Sequence, residues 1–152
     1  MGFPFPALRY PRPDFKLAKQ GNRVMVWDEL RGKYLVLSPE EWVRQHLLHY
    51  LRKAKGVPLG ALRTEEGFRQ SGQTKRTDIL VIKEQKAKLL VECKAPSVRL
   101  EQSTFDQATR YNRHHQAPLV MIANGWEELI AEYHKVPEGW RQLKDLPSYV
   151  EL

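Results

Sequence analysis

Asp78, Glu92 and Lys94 lie in two runs of strand-forming residues, "TDILVIK" and "KLLVECK", joined by the polar turn "EQKA". Side chains alternate across a strand, so Glu92 and Lys94 share a face with Leu90 while Val91 and Cys93 take the other. Folding the hairpin about Gln85-Lys86 brings Asp78 opposite the Glu92 to Lys94 stretch, at the open end of the ribbon. Two carboxylates converging there repel each other, and burying them calls for a cation between them. Oxygen donors of this kind suit Mg²⁺ or Mn²⁺, with the backbone carbonyl of Cys93 and water completing the set. Lys94 can then contact an attacking water or a scissile phosphate, which is the composition of a phosphodiester-hydrolysing site. An exposed cross-strand Asp/Glu/Lys cluster on a half-solvated sheet would look the same, and spacing alone does not separate the two.

The elements that must position this trio are legible on either side of it. "RVMVWD" and "KYLVL" around "ELRG" predict a hairpin. "SPEEWVRQHLLHYLRKAKG" predicts a helix, with Ser38 as N-cap, Pro39 first, Glu41 as capping-box partner and Gly56 ending it. Its buried stripe is Val43, Leu47, Tyr50, Leu51 and Ala54. A short strand is expected from about Ala61 to Phe68. After the trio, "LEQSTFDQATRYNRHH" has a helical pattern and "APLVMIANG" reads as a buried strand, so strand, helix and strand make a crossover unit with a parallel pair. The tail fits a helix or a hairpin. Val136, Pro137 and Gly139 favour the hairpin.

At 152 residues the chain suits one domain over 21–152, preceded by a proline-rich, basic, extended arm over 1–20. A formal charge of +7 favours polyanions such as nucleic acid, although the cations are spread along the chain. No window is apolar enough to span a bilayer, the N-terminus lacks the pattern of a signal peptide, and a single cysteine excludes an internal disulfide. These features suit a reducing cytoplasm.

Several motifs in order, "LSPEEWVRQ", "KRTDILV", "VECKAPS", "FDQATRYN" and "ANG", resemble the PD-(D/E)xK nucleases, in the version seen in the N-terminal nuclease domain of type I restriction enzyme R subunits. The resemblance runs from about Val24 to Tyr149. It implies a restriction-endonuclease-like α/β fold, a mixed sheet flanked by helices, and metal-dependent DNA cleavage with Asp78, Glu92 and Lys94 as catalytic residues. Gln107 and Tyr111 match the Q-x-x-x-Y motif of RecB-type members, and their spacing of four puts them on one helix face. Thr77 stands where the signature's name has proline.

Many such nucleases take a further acid from the first helix. Glu40, on the side of Val43, Arg44 and Leu47, suits that role better than Glu41, while Glu65 or Glu66 would approach only from a neighbouring strand. Lys75, Arg44, Arg76, Arg99, Arg110 and Arg113 would contact phosphates if they surround the site. His46, His49, His114 and His115 read as surface residues, Cys93 as core, and Trp27, Trp42, Trp126 and Trp140 as packing. The sequence has no G-x-x-x-x-G-K-[ST] loop to couple ATP hydrolysis to translocation, so such a domain would serve a separate ATP-driven motor or specificity protein, or act in repair, recombination or defence. Cutting both strands would call for a homodimer or two encounters. The rival reading is a catalytically silent DNA-binding or assembly module of the same fold.

Overall fold

The computed structural model describes residues 5–64, 68–70, 73–75 and 78–152; the expectations for Glu65, Glu66, Arg76, Thr77 and the Lys75 side chain lie outside what it describes. Three strands come first: β1 (Leu17–Gln20), β2 (Arg23–Asp28) and β3 (Lys33–Val36), an antiparallel sheet in that order. The predicted hairpin is β2 and β3, and the last four residues of the arm are themselves a strand paired to β2.

Helix α1 (Pro39–Lys53) starts as its sequence dictates: Ser38 Oγ accepts the Glu41 N–H at 3.0 Å, and Pro39 occupies the first turn where no intrahelical donor is needed. The Glu41 carboxylate does not close the capping box. It accepts from Arg44 Nε and Gln45 Nε2 instead, both at 2.9 Å. The buried face is also wider than the expected stripe, taking in Trp42, Arg44, Gln45, His46 and Leu48, whereas Tyr50 is half-buried and Ala54 exposed.

A short strand β4 (Leu62–Arg63) follows, briefer than expected, then the paired β5 (Phe68–Gln70) and β6 (Gln73–Lys75). The central hairpin is β7 (Ile79–Lys83) and β8 (Lys86–Cys93). Its turn is Glu84-Gln85 rather than Gln85-Lys86, with both residues at positive φ (54° and 65°), the two-residue geometry whose twist matches the strands. A bulge between Val81 and Ile82 returns one of the two residues of register that this costs, so the open end sets Asp78 beside Glu92, still within the expected stretch.

Helix α2 (Gln102–His115) crosses back to β9 (Leu119–Ala123), which is buried along its whole length and pairs parallel with β8, from Leu89↔Leu119 to Cys93↔Ala123. The tail is the hairpin β10 (Glu128–Lys135) and β11 (Glu138–Leu143). The resulting six-stranded sheet has the order β11-β10-β9-β8-β7-β4. Alternation splits its residues between two cores: Ile79, Val81, Leu89, Val91 and Met121 pack with Val43, Leu47 and Leu51 of α1, while Leu80, Leu90, Val120 and Ile122 pack with Ala108 and Tyr111 of α2. The fold is thus a mixed α/β sheet with a helix on each face, as expected. No helix among the described residues is long and apolar enough to cross a membrane.

Candidate active site

Pairing of β7 with β8 runs through Ile79↔Val91, so the next position toward the open end sets Asp78 beside Glu92. Asp78 Oδ2 accepts the Cys93 backbone N–H at 2.7 Å, a bond that holds the carboxylate against β8. Its carbonyl accepts from Thr64 Oγ1 at 3.1 Å, and Thr64 Oγ1 accepts in turn from Arg31 Nη2 at 3.2 Å. Lys94 is fixed at the backbone by donating to the Ala123 carbonyl of β9 at 2.8 Å. Its Nζ lies 3.5 Å from Glu92 Oε1 and donates to Gln107 Oε1 of α2 at 3.3 Å. The hairpin and the crossover helix therefore bring Asp78, Glu92, Lys94 and Gln107 together.

The two carboxylates are electrostatically uncomfortable. Glu92 is 6% exposed, and its Oε2 is buried without a hydrogen-bond partner among the described residues. Burial pushes its carboxyl up to about 8, the charges of Asp78 and Glu40 add to this, and Lys94 opposes it. Burial likewise pushes Asp78 up to about 6; the Cys93 N–H, Arg44 and Lys94 pull it down while Glu40 pushes it up. Glu40 is exposed in the first turn of α1, close enough for its charge to act on both carboxylates. Tyr111 is buried, and its phenol is pushed up by burial and then by Glu92.

A divalent cation fits this donor set. A buried carboxylate oxygen with no donor, beside a second carboxylate, is the arrangement such an ion satisfies. Among the described residues no three His, Cys, Asp or Glu side chains gather closely enough to hold a metal by themselves. An ion here would draw on Asp78 and Glu92, with backbone oxygens and water making up the rest.

Other expectations meet corrections. Arg44 does not offer its charge to phosphates on a surface: it is 3% exposed, paired with Asp28 through Nη2 and with Glu41 through Nε. His46 is not a surface residue. Its Nδ1–H donates to the Trp42 carbonyl at 2.7 Å, Phe15 and Trp42 cover its ring, and burial pushes its pKa down. His49 is half-buried against Phe15. Trp126 is 49% exposed rather than packed, whereas Trp42 is buried and Trp140 stacks edge-on with Phe105 and Tyr133. Cys93 lies in the core, and burial raises its thiol well above the ordinary range. Arg99, Arg110 and Arg113 are exposed.

Sequence reasoning missed the buried partner of Arg44, Asp28, and also Asn124. Asn124 is buried; its Oδ1 accepts the N–H groups of Trp126 and Glu127 at 2.9 and 2.8 Å, and its Nδ2 donates to the Val98 carbonyl at 2.8 Å. The Asn-Gly pair was visible as a strand terminator. Its role in stapling two loops at the site's end of the sheet was not.

With this geometry established, a family model of the type I restriction enzyme R protein N terminus (HSDR_N) matches residues 39–147, which is most of the chain and all of the site. The chain belongs to this family. Among curated proteins, no sequence matches. A solved fragment assigned to the HsdR subunit of a type I restriction enzyme from Vibrio vulnificus YJ016 is similar at 19% identity and a TM-score of 0.47, covering 74% of this chain and 24% of that one. This restriction enzyme R N-terminal domain thus spans about a quarter of that fragment's length.

Proposed function

We propose that this domain is a metal-dependent deoxyribonuclease of the PD-(D/E)xK type that hydrolyses DNA phosphodiester bonds, in a restriction-, defence- or repair-related role. The observation that supports it most is the convergence of Asp78, Glu92 and Lys94 around a buried carboxylate oxygen with no donor among the described residues. Asp78 and Glu92, with the Cys93 carbonyl, would hold Mg²⁺ or Mn²⁺. When bound, that ion supplies charge neutralisation for the carboxylates and Lewis-acid polarisation of the phosphate.

The chain's own groups do the rest. The Cys93 N–H fixes one oxygen of Asp78, so the other is the one offered to a ligand. Lys94, restrained by Glu92 and by Gln107, places its N–H donors where an attacking water or a phosphate oxygen would sit. Gln107 is a positioning residue acting through Lys94. Tyr111, its phenol kept protonated, can donate a hydrogen bond, and Glu40 adds negative charge that strengthens attraction for a cation. The partners that follow are DNA and, for translocation or target choice, a separate motor or specificity subunit. Duplex cleavage would take a second copy or a second encounter.

Incubating the purified protein with plasmid DNA and Mg²⁺ or Mn²⁺ tests this reading. Metal-dependent nicking or linearisation is expected, and Lys94→Ala should abolish it. Cleavage unchanged in Lys94→Ala would refute the assignment, and salt-sensitive DNA binding without cleavage under either metal would favour a silent binding module instead.

A further inference from the structure

Beside the site stands an exposed tryptophan in a loop that is tied down on several sides. β9 ends at Ala123, whose carbonyl accepts the N–H of Lys94, and β10 resumes at Glu128 opposite Ala123. The intervening loop is therefore anchored at both ends next to Lys94. Within it Asn124 Oδ1 accepts two N–H groups, including that of Trp126, and Asn124 Nδ2 bonds the Val98 carbonyl in the loop that leads out of the site. From the other side the Arg9 N–H donates to the Gly125 carbonyl at 2.9 Å. Gly125 has φ +94°, and a Cβ built on it would lie 2.6 Å from Leu8 Cδ2, so the arm presses directly on the loop backbone.

So rigid a mount leaves Trp126 49% exposed, with Val98 at 39%. Two arginines lie on the backbone segments joined to this loop. Arg9 is bound through its backbone to Gly125, and its side chain, 46% exposed, lies 3.6 Å from Glu128; the exposed Arg99 follows directly on Val98. An exposed aromatic ring on a tied-down loop, with exposed arginines on the segments bonded to that loop and a proposed phosphodiester-cleaving centre next to it, has the composition of a nucleic-acid stacking platform: the cations track phosphates and the ring takes a base face.

We propose that Trp126 stacks on an unpaired base of the nucleic-acid substrate, so that the domain favours DNA with a single-stranded end, flap or gap beside the scissile bond. The assignment rests on the nuclease reading of the neighbouring site. Paired bases have both faces covered within a duplex, which is why a single exposed ring selects unpaired ones.

Fluorescence anisotropy tests it with the full chain and three labelled duplexes in Ca²⁺: one blunt, one with a single-stranded overhang, and one whose overhang is abasic. Trp126→Ala is expected to weaken overhang binding about tenfold, within the range for loss of one stacked base, and to leave the blunt duplex nearly unchanged. Trp126→Phe should retain most of the affinity. The abasic overhang should bind wild type and Trp126→Ala alike. Equal overhang affinity in wild type and Trp126→Ala, or an equal loss on all three duplexes, overturns the inference. If the wild type still cuts plasmid in a Lys94-dependent way, that failure is confined to Trp126; a wild type that neither binds nor cuts DNA brings down both readings.

Discussion

Asp28 and Glu92 are both buried carboxylates, and the fold completes them in opposite ways. Asp28 is fully enclosed and fully satisfied: Oδ1 accepts the Leu30 and Arg31 N–H groups at 2.8 and 3.0 Å, while Oδ2 takes Arg44 and Gln45. Burial pushes its carboxyl up, yet Arg44 and the Arg31 and Leu30 amides outweigh this and hold it below its ordinary range. Glu92 has one oxygen 3.5 Å from Lys94 and the other with no donor among the described residues, and its pKa goes up to about 8. The first cluster satisfies its carboxylate and ties the small sheet to α1, although Nη1 of its Arg44 is buried without a hydrogen-bond partner among the described residues. The other is left short of positive charge at the end of the main sheet, and a site that must accept a cation has that deficit.

The sharpest way to break the comparison is to delete one acid from each cluster. Asp28→Ala leaves the buried Arg44 guanidinium with Glu41 but without its most buried carboxylate, and should cost about 3 kcal/mol in urea denaturation, the lower end for removing one partner of a buried ion pair. Glu92→Gln should be neutral or stabilising in the same measurement at pH 8, since it removes a charge that the metal-free fold opposes. Comparable losses in both variants would erase the distinction.

Opposite signs are also expected with pH. Asp28 is depressed when folded, so its contribution is present above the ordinary carboxylate pKa of about 4 and is lost as pH falls through its folded value. Asp78 and Glu92 are raised to about 6 and about 8, so between ~4 and ~8 the metal-free fold binds more protons than the unfolded chain. Metal-free stability should therefore decline as pH rises through that window, by at least about 1 kcal/mol. Thermal melts across it check the slope, which Glu92→Gln should flatten. At pH 8, saturating Mg²⁺ should raise the wild-type melting temperature by a few degrees and that of Glu92→Gln by less than one, as expected for an ion that binds only the native pair. A smaller effect is expected at Gln107→Ala: cleavage slowed about tenfold through a loosened Lys94, with stability changed by no more than ~0.5 kcal/mol. Cleavage at the wild-type rate would remove Gln107 from the site.

The same contrast explains what could be read from the residues. Asp78, Glu92 and Lys94 were legible because strand alternation and one hairpin suffice to bring them together. The Glu84-Gln85 turn is centred one residue from its expected place, and the bulge at Val81/Ile82 compensates for half of the register change that follows, so Asp78 still reaches the expected end of β8. The β8–β9 parallel pair was legible because a helix lies between two apolar runs. Asp28 and Arg44, 16 residues apart, meet only because the turn after β2 packs on α1, a tertiary fact with no local pattern. His46 is buried because Phe15 of the arm folds over it, and the arm shows no periodicity to announce that. Trp126 carried the opposite signal: a large apolar ring is ordinarily core, and only its place in a stapled loop leaves it outside.

The central claim is that the under-satisfied pair is built to hold a divalent cation, and calorimetric titration of Mn²⁺ or Mg²⁺ measures this most directly. The wild type should bind the ion, and Asp78→Ala and Glu92→Ala should each abolish that heat while circular dichroism shows the fold intact. Binding retained in both variants would contradict the account.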